Sequence, residues 1–138
     1  EGINAVKGSL GRIQVCNWSL ASVGEPHVTP DRLREGLEAF FAEHRFLDVA
    51  RLRPIPHEAY YANAGYFYFF AHYYAAQAIN LLPEGEREAF HARLRPHLAK
   101  TQRQDGSCCD FLGSSYMVTA STAFASLALS AGLSAGAE

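Results

Sequence analysis

The chain has 138 residues, about one domain's worth. Hydrophobic residues make up 49% of it and charged residues 19%, which supplies a packed core and excludes general disorder. The formal net charge is −2, so no basic field exists to attract nucleic acid or an anionic membrane.

The apolar runs Tyr66–Ala71 and Ala123–Ala131 are too short, or too interrupted by small polar residues, to span a bilayer. The N-terminus lacks the basic-then-apolar pattern of a signal peptide. It also lacks a Met, so a fragment or a processed form is the expectation. The three cysteines, Cys16, Cys108 and Cys109, are an odd number, and adjacent cysteines rarely bridge each other. A disulfide framework is not expected, and a reducing, cytoplasmic location is.

About five helices and no strand are expected. The first covers about Leu10 to Val23, with Ser9 as N-cap. The second starts after Thr29 with Pro30 at its first position and runs to about Phe46. Leu33, Leu37, Phe40, Phe41 and His44 share one face, while Arg34, Glu35, Glu38, Glu43 and Arg45 lie away from it. A linker follows from Leu47 to Gly65, where Pro54 and Pro56 forbid regular helix. The third helix, about Gly65 to Leu82, is apolar or aromatic nearly all round, so it is expected to be covered on several sides, and Phe70→Ala there is expected to cost roughly 3–5 kcal/mol. The fourth opens at Pro83 and is amphipathic, with Phe90, Leu94, His97, Leu98 and Thr101 on one face and a kink or break expected at Pro96. The fifth, about Ser114 to Ala131, is small and apolar.

Charge alternates along this series. Helices one, three and five carry few charges; helices two and four carry many. The segments CNWSLASV, HYYAAQAI and TAFASLAL recur at intervals of about fifty residues, similar in character rather than in letters. Two architectures fit: stacked antiparallel hairpins with uncharged helices inside and charged ones outside, and a five-helix bundle around one buried helix. The hairpin repeat is the preferred reading.

Between the fourth and fifth helices the chain reads Gln102, then Asp105-Gly106-Ser107, then Cys108. This helix–Gln–Asp-Gly-Ser–helix order resembles the QW repeat of the squalene-cyclase and protein-prenyltransferase superfamily. The resemblance covers Tyr60 through Leu129, with a more divergent unit before it. It implies an all-α fold of antiparallel hairpins, an arc of an α/α toroid, with residues 1–138 as a single helical-repeat domain belonging to a larger ring. Three departures stand out. Cys108 occupies the place of the motif's Trp. The chain holds fewer hairpins than a closed ring needs, so its apolar ends must be covered by a second copy or by further chain. The clustered acids of the cyclases are missing, and the Asp, Cys and His that hold zinc in the prenyltransferases are not found at the family's spacing.

Three groups of residues have chemistry to offer. The aromatic run from Tyr60 to Tyr74, including Tyr66, Phe69 and Tyr73, can line a cavity for an apolar or cationic ligand, or simply fill the core. The polar loop Arg51, Arg53, His57 and Glu58 can hold an anion and move a proton, with His72 joining if it faces the same side, or can pair internally at the surface. Cys108, Cys109 and Asp110 lack the spacing and number for a tetrahedral ion, so no metal and no cofactor are expected. The resulting expectation is a helical-repeat domain, non-catalytic alone, that binds an apolar small molecule or a partner chain and forms a homo-oligomer. The alternative is a fragment of a terpenoid-cyclase or prenyltransferase-like enzyme acting on an isoprenoid.

Overall fold

A computed structural model describes residues 5–53, 64–113 and 115–133. Among them are six α-helices, two 3-10 turns and no strand. The protein is all-α, as its patterning requires. The helices are α1 (Leu10–Ser22), α2 (Pro30–Ala42), α3 (Arg45–Arg51), α4 (Tyr68–Ile79), α5 (Glu84–Ala99) and α6 (Val118–Leu133). The 3-10 turns, Val6–Gly8 and Gly65–Phe67, precede α1 and α4.

Helix α2 starts as its sequence dictates. Thr29 Oγ1 accepts the Arg32 N–H at 3.3 Å, Pro30 fills the first position and Asp31 lies in the positive first turn. Ser9 holds the N-cap position of α1, but its hydroxyl accepts the Arg12 guanidinium at 3.0 Å instead of a helix N–H.

Helix α4 lies in the middle. It packs most widely against α1 on one side and α6 on the other, and the charged helices α2 and α5 lie behind it. None of α4's residues is charged, and Tyr68, Phe69, Ala71, His72, Ala75, Ala76, Ala78 and Ile79 are all buried. Against them pack Leu33, Leu37 and Phe40 of α2, with Phe90, Leu94 and Leu98 of α5. The two charged helices clasp each other at their rims. Arg34 donates to Glu86 at 2.6 and 3.1 Å, and Arg93 donates to Glu38 at 2.6 and 2.8 Å. Such rim pairs are screened by solvent and contribute little, whereas one fully buried Phe or Leu contributes about 1.5–3 kcal/mol, so apolar burial holds the layers together.

Four boundaries differ from the sequence reading. The second helix stops at Ala42, and after a turn at Glu43–His44 a separate helix, Arg45–Arg51, covers what reads as the end of that helix and the start of the linker. Phe46, Leu47 and Ala50 give that short helix a buried face, which overrides the weak local pattern. The third helix is α-helical only from Tyr68 to Ile79, its first turn being 3-10. Helix α5 is not broken at Pro96 but continues through it, and Ala92 and Pro96 are both exposed there, so water can replace the hydrogen bond that proline removes. The fifth expected helix begins at Val118 rather than Ser114.

Candidate functional site

Helix α4 presents two faces with different chemistry. The open face lies away from α2 and α5. Along it rings touch in series: Trp18 to Tyr74 (5.4 Å between centroids), Tyr74 to Phe70 (4.8 Å), Phe70 to Phe67 (5.8 Å) and Phe67 to Tyr66 (4.4 Å). Tyr73 extends the belt sideways to Phe124 of α6 at 5.5 Å. Phe67 is exposed and the others are half-buried. These rings therefore contribute both to packing and to the surface. Phe70, in particular, is not a core ring. At one end of the belt a groove of about 370 Å³ runs between Gly8, Gly11 and Val15 on one wall and Phe67, Phe70 and Ala71 on the other. Gly11 lets α1 approach α4 closely beside the groove, since a Cβ there would meet Ala71 Cβ at 3.0 Å.

The opposite face of α4 carries a polar cluster in the core. His72 Nδ1 lies 2.7 Å from the Tyr68 carbonyl, and its Nε2 lies 2.8 Å from His44 Nε2. His44 Nδ1 in turn lies 3.1 Å from Asp48 Oδ2. A carbonyl only accepts, so His72 Nδ1 carries a hydrogen and, in a neutral ring, Nε2 accepts from His44 Nε2–H. A carboxylate also only accepts, so the second nitrogen of His44 is a donor too. Burial pushes the His72 ring well below the ordinary histidine range, and the neighbouring His44 adds to this, which keeps His72 the neutral member.

Asp48 is the hub at the outer end. Its Oδ2 also takes the Lys100 ammonium at 2.9 Å, and its Oδ1 accepts the Tyr68 hydroxyl at 3.2 Å. Burial alone would push this carboxyl up, but the hydrogen bonds from His44 and Lys100 outweigh it and hold the group well below the usual carboxylate range. The His97 ring stacks on His44 with centroids 3.6 Å apart, and burial together with the charges of His44 and Lys100 pushes it down to about 4. Phe40 closes the cluster from α2 with its ring edge-on to both His44 and His72.

The sequence-singled residues divide among these regions. Tyr66 and Tyr73 lie on the open face. Phe69 and His72 point the other way, into the core, with no exposure. Arg51 donates from Nε and Nη2 to the Cys109 carbonyl at 3.1 and 2.9 Å, and its guanidinium lies over the Tyr68 ring, which ties α3 to the loop before α6. Arg53 follows α3, partly buried. His57 and Glu58 lie outside the described residues. The Asp105–Ser107 segment forms the expected tight turn. Asp105 Oδ1 accepts the Ser107 N–H at 3.0 Å and hydroxyl at 2.7 Å, Gly106 adopts a left-handed φ of 85°, and Gln102 Nε2 donates to the Gly106 carbonyl at 3.1 Å. Cys108, in the place of the motif's Trp, is buried, and its N–H is taken by Thr122 Oγ1 of α6 at 3.0 Å.

Asp110 is a further titratable group that sequence reasoning weighed only as a metal ligand. It is 2% exposed, its N–H donates to Ser121 Oγ at 3.1 Å, and its Oδ1 has no hydrogen-bond partner among the described residues. Burial pushes its carboxyl up to about 6, against the hydrogen bond from Ser121. Among the described residues no helix is long and apolar enough to cross a membrane. No family model matches the chain, and neither a curated protein nor a solved structure matches it.

Proposed function

We propose that this chain is a helical-repeat module of the α/α-toroid type, akin to prenyltransferase and squalene-cyclase repeats, that binds an apolar small molecule on its open aromatic face and performs no catalysis alone. The observation that carries this reading is the belt from Tyr66 through Phe70 and Tyr74 to Trp18, rings in mutual contact yet left partly uncovered by the chain's own helices. Partly uncovered rings in a row offer a long, flat, dispersive surface with a negative π-face, which suits an unsaturated hydrocarbon chain better than a compact polar metabolite. The adjoining groove of about 370 Å³ has the volume of an ordinary small-ligand site.

Trp18 is the chain's one tryptophan and terminates the belt, so it reports occupancy directly. Titration with a soluble isoprenoid alcohol such as farnesol is expected to give a saturable change in Trp18 fluorescence, weakened by Phe70→Ala. A folded protein whose fluorescence does not saturate would remove the reading.

A second reading, a fragment of a terpenoid-cyclase or prenyltransferase-like enzyme, is favoured by Asp110. A buried carboxyl that keeps its proton to about pH 6 is available as a general acid toward a leaving hydroxyl. Loss of farnesol turnover or rearrangement on Asp110→Asn would favour the enzyme; binding without any turnover in the parent chain favours the module.

A further inference from the structure

We propose that His44, Asp48 and His97 form a binding site for a divalent first-row transition ion of the zinc class. A ring nitrogen of each histidine and a carboxylate oxygen of Asp48 lie within 4.8 Å of one another. Two imidazoles and one carboxylate are a usual protein donor set for zinc, and three protein ligands leave a position for water.

The outer shell is already built. His44 Nε2–H donates to His72 Nε2 at 2.8 Å, and His72 Nδ1–H is held by the Tyr68 carbonyl at 2.7 Å. This chain engages His44 Nε2 and leaves Nδ1 as the atom that faces the site. Asp48 is anchored in the same way, with its Oδ1 accepting the Tyr68 hydroxyl at 3.2 Å and Oδ2 turned inward to the cluster. The remaining polar atoms of His44 and Asp48 are thus each oriented by a second residue, which is how metal ligands are normally held. Surface ion pairs do not need such support.

A cation is already favoured at this spot. The Lys100 ammonium lies 2.9 Å from Asp48 Oδ2 and 3.5 Å from His97 Nδ1. Its side chain is 46% exposed, so it can swing into solvent when a divalent ion arrives. Asp48 and His97 are partly exposed and provide the entry.

The test is titration of the full, chelator-treated chain with cobalt(II), followed by its visible ligand-field bands, and with zinc by calorimetry. One saturable equivalent is expected. His97→Ala and Asp48→Asn should each weaken it by about tenfold or more, His27→Ala should leave it unchanged, and Lys100→Ala, by removing the competing ammonium, should tighten it. Circular dichroism checks that each variant folds, and if His97→Ala does not, Lys100→Ala decides the matter. The proposal is overturned by absence of a saturable equivalent, by unchanged affinity in folded His97→Ala, or by unchanged or weaker binding in Lys100→Ala.

Discussion

His44 Nε2 and His72 Nε2 lie 2.8 Å apart between α4 and the junction of α2 with α3, and neither ring reaches water to any useful extent. One donates and the other accepts, so each satisfies the other's buried polar atom. Replacing His72 by Leu keeps an apolar volume but strands the His44 donor. The expected loss is about 1–3 kcal/mol in urea unfolding. Lys100→Ala, at the exposed end of the same cluster, is expected to cost no more than about 1 kcal/mol. Equal losses would mean the inner pair is hydrated.

The two faces of α4 predict unequal truncations. Phe69 is fully buried, and Phe69→Ala is expected to cost about 3–5 kcal/mol. Phe70 is half-buried on the open belt, so Phe70→Ala is expected to cost clearly less, about 1–2 kcal/mol. Reversal of that order by thermal or urea unfolding would mean the helix is rotated about its axis.

Gly36 and Gly85 make a second contrasting pair. A Cβ on Gly36 would meet Asn17 Nδ2 at 2.8 Å and Ile13 Cγ2 at 2.9 Å, where α1 and α2 cross closely. Gly36→Ala is expected to destabilise by about 1–3 kcal/mol. A Cβ on Gly85 meets nothing within 4 Å, and Gly85→Ala in the first turn of α5 is expected to stabilise by roughly 0.5–1 kcal/mol.

Asp110 sets a pH dependence with a definite sign. Its carboxyl moves from the ordinary 3.8 up to about 6 on folding. The folded chain therefore holds the proton more tightly, and the stability this gives is complete below about pH 4 and lost as pH rises through about 6. The span is on the order of 2–3 kcal/mol. Asp110→Asn removes the titration. Its melting temperature relative to the parent should rise between about pH 4 and about pH 7 and then level off, and a constant difference would contradict the buried carboxyl.

Self-association belongs with the proposed repeat. Leu129 and Leu133 lie one turn apart on α6, at 40% and 73% exposure, on a helix without a single charge. Sedimentation velocity is expected to show a dimer that Leu129→Glu weakens; a monomer at all concentrations would oppose it.

The alternation of uncharged and charged helices was readable because a solvated face needs charge and a covered one excludes it. The Asp105–Ser107 turn was readable because its geometry is local. The direction of α4 was not. A helix apolar all round has no stripe to show that Phe69 and His72 point inward while Phe70 and Tyr73 point outward. The His44 cluster was also hidden, since its members come from the α2–α3 junction, α4 and α5. The four-residue step from His44 to Asp48 was a usable signal, but it falls across a boundary where the chain reads as helix end and linker. Short α3 owes its existence to the core beneath Phe46 and Leu47, and no local propensity announces it.

Helix α4 touches every other α-helix of the described chain. A strut shared by all its neighbours leaves no stable subset behind when one of them peels away. Melting should consequently be a single all-or-none event, and splitting the gene on either side of α4 should yield two pieces that regain shape only on recombination.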